Sequence, residues 1–88
     1  MKPTIGRIVL VNISTDPERP ELRPAIITAA WSDICVNVRL FADGGNDAAS
    51  LMGIGASEEH PEWITSITMA LAGDGSIGFR QWCWPPRA

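Results

Sequence analysis

The chain is poor in the side chains on which most enzyme active sites depend. Its 88 residues include one histidine, two cysteines and no tyrosine. His60 lies beside Pro61 in a charged stretch, and neither Cys35 nor Cys83 has an assured basic neighbour to activate its thiol. The sequence also lacks a phosphate-binding loop, a metal-ligand cluster and a Ser/His/Asp set with supporting context. We therefore predict a protein that is not an enzyme, with no catalytic residues, no metal and no cofactor.

Positive charge is also scarce, and almost all of it is arginine. Seven basic residues stand against ten acidic ones, which gives a net charge of −3, and Lys2 is the only lysine. A general nucleic-acid binder needs a positive field to recruit phosphates, so nucleic acid is a disfavoured partner. Arginine side chains that converge at one small site would still suit a small anion.

Long hydrophobic runs and cysteine pairs are missing as well. The first apolar run is interrupted by Arg7 and Asn12, so we expect neither a signal peptide nor a membrane-spanning helix. Cys35 and Cys83 allow one disulfide at most, which is not a disulfide framework. The predicted protein is therefore neither secreted nor associated with a membrane.

A chain this short has little core with which to stabilise itself. Folding would bury roughly 8,700 Å², worth about 125 kcal/mol of hydrophobic free energy, against an ordering cost of about 130 kcal/mol. Because this balance is near zero, we expect the protein to form a homo-oligomer.

Apolar segments of strand length alternate with turn signals, which predicts an all-β fold. The predicted strands are residues 5–13, 25–31, 34–41, 63–71 and 79–84. Residues 14–24 contain three prolines and several charges and are expected to form a long exposed loop. We expect the strands to form a meander that closes into a small, five-stranded SH3-like barrel, a single domain over residues 1–88.

The later connections carry glycine-rich signals. Asp43–Asp47 predicts a turn, residues 48–57 have no firm period, and residues 58–62 read as a charged turn. Gly73–Gly78 matches the G-x-G-x-x-G pattern of dinucleotide-binding proteins, but a strand-like segment follows it instead of a helix. We reject that function and expect these glycines to form the last hairpin.

Alternation assigns faces to three of the strands. Both faces of the first strand are apolar, which suits a strand covered by the barrel interior and by a neighbouring subunit or loop. In the third strand Asn37 and Arg39 should point outward together, either as a solvated face or within reach of one ligand. Its core-facing set is Ile34, Val36, Val38 and Leu40. The fourth strand divides into Trp63, Thr65, Ile67, Met69 and Leu71 on one face and Ile64, Ser66, Thr68 and Ala70 on the other.

The last strand and tail hold the most distinctive residues. In an extended chain Arg80, Trp82 and Trp84 share one face. Two readings stay open: the indoles close the bottom of the barrel as core, or they form a platform for a ligand or partner. The prolines that follow would carry Arg87 away in an extended tail.

Four motifs occur in order along nearly the whole chain: Gly6–Val9 (G-R-I-V), Arg23–Ile27 (R-P-A-I-I), Asp43–Asp47 (D-G-G-N-D) and Trp82–Pro85 (W-C-W-P). They resemble a family of small, uncharacterised phage and prophage proteins. The chain departs from that family at Phe79-Arg80-Gln81 and in a longer stretch from Ala48 to Ser57. The resemblance implies a phage origin and expression in the cytoplasm of the infected bacterial host.

Two functions from different classes follow as hypotheses. In the first, the protein is a phage accessory binding protein whose oligomer sequesters a small anionic, nucleotide-derived immune signal of the host. Arginine pairs with phosphate and an indole stacks on a base, so sequestration needs no chemistry. The predicted ligand-binding residues are Arg7, Arg23, Arg39, Trp82, Trp84 and Arg87. In the second, the protein is a structural or interaction module, such as a minor virion component or an adaptor that inhibits a host protein.

Overall fold

Five strands form a closed barrel in the computed structural model, which describes residues 2–41, 63–71 and 76–86. The strands are β1 (Ile8–Asn12), β2 (Leu22–Ala30), β3 (Cys35–Leu40), β4 (Trp63–Met69) and β5 (Gln81–Cys83). From β1 to β4 each strand pairs antiparallel with the next, and β5 lies between β4 and β1. The prediction of an all-β, five-stranded barrel is confirmed. Within the described ranges, no helix has the length and apolar character needed to cross a membrane.

Several sequence predictions lie outside the described residues. They are the turn at Asp43–Asp47, the stretch 48–57, the charged segment 58–62 with His60, the residues 73–75 of the glycine motif, and Arg87.

The barrel interior is filled by aliphatic side chains and one indole. Alternate residues of each strand point inward, so short strands with an apolar residue at every second position build this core. Its buried members are Val9, Val11, Ile13, Ala25, Ile27, Val36, Val38, Leu40, Ile64, Ile67 and Trp82. Met69, Phe79 and Trp84 pack against it and are partly buried.

The largest differences from the predicted strand boundaries are at the starts of β1 and β2. β1 begins at Ile8 and not at Ile5, because Gly6 adopts a φ of 94° and the Arg7 amide donates to the Thr4 carbonyl over 3.2 Å. A turn therefore occupies the expected start of the strand. β2 begins earlier than predicted and includes Pro24, which lies opposite Leu10.

Two β-bulges interrupt the regular pairing. In β2, Ile27 pairs with Val38 and Ala29 with Asn37, which leaves Thr28 as the extra residue. Between β3 and β4, Val36 pairs with Ile67 and Val38 pairs with Ile64. Two residues of β4, Thr65 and Ser66, therefore lie opposite the single residue Asn37 of β3.

The β4 bulge overturns the predicted division of that strand into two alternating faces. Ile64 and Ile67 are both buried although they are three residues apart, and Thr65 and Ser66 between them are exposed. Ser66 has a φ of 55°, and this left-handed residue resets the alternation.

The predicted hairpin between the last two strands is wrong. β5 pairs parallel with β4, with Thr68 opposite Gln81 and Met69 opposite Trp82, whereas a hairpin requires antiparallel strands. β5 pairs antiparallel with β1 on its other side. This placement closes the barrel and carries Trp82 into its interior.

Candidate functional site

Two of the predicted arginines lie toward opposite ends of the first strand. Arg7 lies opposite Ile27 at the start of β1, where the Ile27 amide donates to its carbonyl, and Arg23 lies opposite Val11 near the other end. These positions are about 13 Å apart along the strand at the usual rise per residue. Arg23 has a carboxylate close to its guanidinium, with Nη2 3.9 Å from Oε2 of Glu21. The backbones of these two arginines are therefore separated by most of the length of β1.

The tryptophan platform is not formed by Trp82. Its ring is completely buried, and Nε1 donates a hydrogen bond to the Ile34 carbonyl over 2.9 Å. Trp84 meets it edge to face, with ring centroids 5.3 Å apart and planes 88° from parallel. The core reading is confirmed for Trp82, and Trp84 is half-buried against the same core.

Arg39 does line a surface hollow. A space of about 390 Å³ opens on the barrel wall where the two bulges face one another across β3. We call it the Asn37 hollow; it is lined by Thr28, Asn37, Val38, Arg39, Ile64 and Thr65. Its volume lies in the range of small-molecule sites. The sequence prediction that Asn37 and Arg39 point outward together agrees with this arrangement.

Asn37 organises the hollow through its side-chain oxygen. Oδ1 accepts hydrogen bonds from the Ser66 amide and from Nε1 of Trp31, each over 2.8 Å. The first bond satisfies an amide that the β4 bulge removes from the strand ladder. Both bonds use Oδ1, so they leave the two Nδ2 hydrogens for another acceptor.

Trp31 is the residue that sequence reasoning missed as part of a site. It stands at the end of β2 with 66% of its surface exposed, which is unusual for so large an apolar ring. The hydrogen bond to Asn37 holds this ring beside the hollow. Ser32 fixes the adjoining turn, because its Oγ accepts from the amides of Ile34 and Cys35. The signal in the sequence was a tryptophan next to a turn, six residues before an asparagine of the neighbouring strand.

The chemistry of this site suits a planar anion. Arg39 is exposed and offers a permanent positive charge, Asn37 adds amide donors, and Thr28 and Thr65 carry hydroxyls. The exposed face of Trp31 can stack on an aromatic ring. The described side chains of this arrangement are suited to binding and orienting a ligand.

A second, smaller hollow lies at the end of the barrel under the first loop. It measures about 170 Å³ and is lined by Asn12, Ser14, Thr15, Pro17, Ser76, Ile77, Gly78 and Phe79. Asn12 is buried there: Nδ2 donates to the Ile77 carbonyl, and Oδ1 accepts from the amides of Ser14 and Glu21. These bonds tie the loop to the chain before β5, which gives Asn12 a structural role.

Redox and metal chemistry have little support in the described part of the chain. Cys35 and Cys83 are free thiols and form no disulfide. Partial burial raises the pKa of the Cys83 thiol, which lowers its reactivity at neutral pH. No group of three histidine, cysteine or acidic side chains is gathered for a metal ion within the described residues.

Comparison with known proteins finds no relative: no protein-family model, no curated protein and no solved structure matches the chain.

Proposed function

We propose that the protein is a non-enzymatic binding protein that holds a small, planar, anionic ligand in the Asn37 hollow. The observation that carries this proposal is the exposed indole of Trp31, which a hydrogen bond to Asn37 fixes beside a space also lined by Arg39. An exposed tryptophan held in one orientation is a stacking surface, and arginine supplies the charge for an anion.

A nucleotide derivative has both of these features, a flat base and a phosphate. In the phage setting that the sequence resemblance implies, the ligand is a nucleotide-derived immune signal made by the infected bacterium. Sequestration in the host cytoplasm would lower the free concentration of the signal without any chemical step. This is the same ligand class as in the sequence hypothesis; of the residues predicted there the proposed site keeps Arg39, and Trp31 takes the stacking role expected of Trp82 and Trp84.

Within this proposal the barrel is of the SH3-like type and works as a homo-oligomer. Support for the first part comes from the strand order, from the closure of β5 onto β1 and from the tight turn before the short last strand. Support for the second comes from exposed apolar side chains on the outer face of β1 and after β3, Ile8 at 45% and Phe41 at 50% exposure.

Calorimetric titration with AMP, ADP-ribose and cyclic ADP-ribose tests the ligand class. We expect at least one of these to bind, and Trp31→Ala and Arg39→Gln each to weaken binding by about tenfold or more. Arg19→Gln is the matched control, because it removes the same charge from the exposed first loop. Native mass spectrometry of protein purified from cells with an active signal-producing defence system would then identify the cargo by its added mass.

The tail site is distinguished in the same experiment. Trp84→Phe keeps an aromatic ring against the core and should leave binding unchanged. Loss of binding in Trp84→Phe with normal binding in Trp31→Ala would return the site to the tail. Absence of uptake of all three nucleotides by the wild-type protein would remove the main support for the proposal.

The apolar outer face favours a second candidate, a structural or interaction module. Ile8, Leu22 and Phe41 are 45%, 38% and 50% exposed, and Ile26 beside them is half-buried. Such a face suits contact with a virion component or with a host protein that the module inhibits. Co-purification with virions, or a stable complex with one host protein, would identify this case.

A further inference from the structure

Arg80, directly before β5, holds part of its guanidinium inside the protein. Nη2 donates to the Thr65 carbonyl over 2.8 Å, whereas Nε is buried and has no hydrogen-bond partner among the described residues. Among the residues that the structure describes, no carboxylate pairs with the Arg80 side chain. The bond from Nη2 is exposed to solvent, so the costly feature is the buried Nε–H, and a residue that keeps such a group without an acceptor needs an explanation.

The backbone of Arg80 is also held in a costly conformation. Its φ is 61°, in the left-handed region that residues other than glycine rarely adopt. The Arg80 amide donates to the Asn12 carbonyl over 2.9 Å, and the Gln81 amide donates to Gly78 over 3.2 Å. These bonds fix the turn that leads into β5, and the side chain reaches back from this turn to β4.

The contact with Thr65 connects Arg80 to the Asn37 hollow. Thr65 lines the hollow and is the first residue of the β4 bulge. The bulge is bound from two sides, since Asn37 accepts from the Ser66 amide and Arg80 donates to the Thr65 carbonyl. The guanidinium therefore contacts the backbone of a residue that lines the hollow, and within the described ranges no carboxylate pairs with it.

We propose that Arg80 is a positioning residue for the ligand site, which acts through Thr65. It holds the β4 bulge through the Thr65 carbonyl and places a permanent positive charge next to the lining of the hollow, where it attracts the anionic group of the ligand. This inference rests on the proposed function. It assigns to Arg80 a share, with Arg39, of the preference of the site for anions, whereas Trp31 serves the planar part of the ligand whatever its charge.

Two probes that differ only in charge test this assignment. AMP and adenosine share the base and the ribose, so the ratio of their affinities isolates the effect of the phosphate. Arg80→Gln keeps a donor for the Thr65 carbonyl and removes the charge, whereas Arg80→Lys keeps both donor and charge. Both titrations use the full-length chain, and Arg19→Gln controls for the loss of one positive charge elsewhere.

We expect Arg80→Gln to lower the affinity for AMP by about tenfold while leaving that for adenosine within about threefold, because only AMP carries a charge that interacts with the guanidinium. Arg80→Lys should keep the preference for AMP, and so should Arg19→Gln. Added salt should weaken AMP binding less in Arg80→Gln than in the wild-type protein.

Different results separate the two proposals. Wild-type protein that binds neither probe overturns the proposed function and this inference together. If the wild-type protein binds and Arg80→Gln leaves the ratio of AMP to adenosine affinity unchanged, only the role of Arg80 is overturned. The same holds if Arg80→Gln and Arg80→Lys lower that ratio equally. If Arg80→Gln fails to fold, folded Arg80→Lys without a preference for AMP is the overturning result, and Arg80→Lys with that preference supports the assignment.

Discussion

At the scale of single residues, the side chains of Asn12 and Asn37 hold irregular segments of the backbone in place. Asn12 and Asn37 each use Oδ1 to accept two hydrogen bonds, three of the four from backbone amides. Asparagine suits this work because its side chain carries both a carbonyl and an amide group. Asn12 serves the loop end of the barrel and Asn37 serves the proposed site.

Asn12→Ala should destabilise the fold markedly. The substitution removes three hydrogen bonds that link β1 to the first loop and to Ile77, and we expect a loss of about 2–3 kcal/mol in the free energy of unfolding. Urea denaturation followed by tryptophan fluorescence measures it. Ser14→Ala, which removes one exposed hydrogen bond to the Asp16 amide, is the control and should cost about 0.5 kcal/mol or less. Equal effects of the two substitutions would contradict the structural role of Asn12.

The Cys83 thiol should respond to pH as a partly buried group. Burial raises its pKa in the folded protein, so the thiolate forms at higher pH than in the unfolded chain. In the Cys35→Ser variant Cys83 is the remaining thiol. The rate of its alkylation by iodoacetamide should therefore rise at a higher pH in the native protein than in the same protein unfolded in urea. Because the unfolded chain loses its thiol proton first, this group's contribution to stability is complete below its ordinary pKa and declines above it. Identical pH profiles in the native and unfolded protein would refute the burial of Cys83.

At the scale of elements, the bulges explain where sequence periodicity succeeded and where it failed. The alternation in β3 is regular through Val36, Val38 and Leu40, and all three are buried as predicted. Ile34, the fourth residue predicted to face the core, lies before β3 in the turn and is 39% exposed. In β4 the alternation breaks at Ser66, whose small polar side chain gave no sign of a left-handed residue. The periodic signal describes regular strand only, and a bulge inserts one residue that shifts every later side chain to the other face.

Substitutions at Ser66 should separate backbone strain from side-chain packing. Ser66→Gly relieves the left-handed conformation but frees the unfolded chain, so its stability should lie within about 1 kcal/mol of the wild type. Ser66→Val should cost about 1–3 kcal/mol, because a β-branched residue resists a positive φ. Thermal unfolding by circular dichroism gives both values. Thr68→Val, at an exposed site of the same strand, is the control, and a comparable loss there would show that the bulge is not the cause.

At the scale of the whole molecule, closure depends on the shortest strand. β5 has three residues, yet it pairs with both β1 and β4 and delivers Trp82 to the core. A barrel of this size also leaves apolar side chains outside, among them Ile8 and Phe41. Because these exposed side chains offer apolar surface for contact with a second copy, self-association stays a prediction for the protein in solution.

Sedimentation velocity should find a species heavier than one 9.5 kDa chain. Ile8→Glu places a charge on the exposed apolar face of β1 and should shift the protein to the single-chain mass, because a buried unpaired carboxylate is costly. Thr15→Glu, in the exposed first loop, should leave the mass unchanged. Weak interfaces assemble at concentrations of about tens of micromolar. A wild-type protein that sediments as a single chain at that concentration would contradict the prediction.

The sequence by itself determined the strand content, the barrel and the long first loop. It also determined that Asn37 and Arg39 point outward on the same face, because alternation and proline-rich turns are local signals. Only the tertiary structure decided that β5 runs parallel to β4, that Trp82 is core and that Trp31 is exposed beside a hollow. Local pattern does not encode which of several tryptophans is covered, since burial depends on residues far away in the chain. The proposed site has the same origin: Trp31 follows β2, Arg39 and Thr65 belong to β3 and β4, and the two bulges lie where these residues come together.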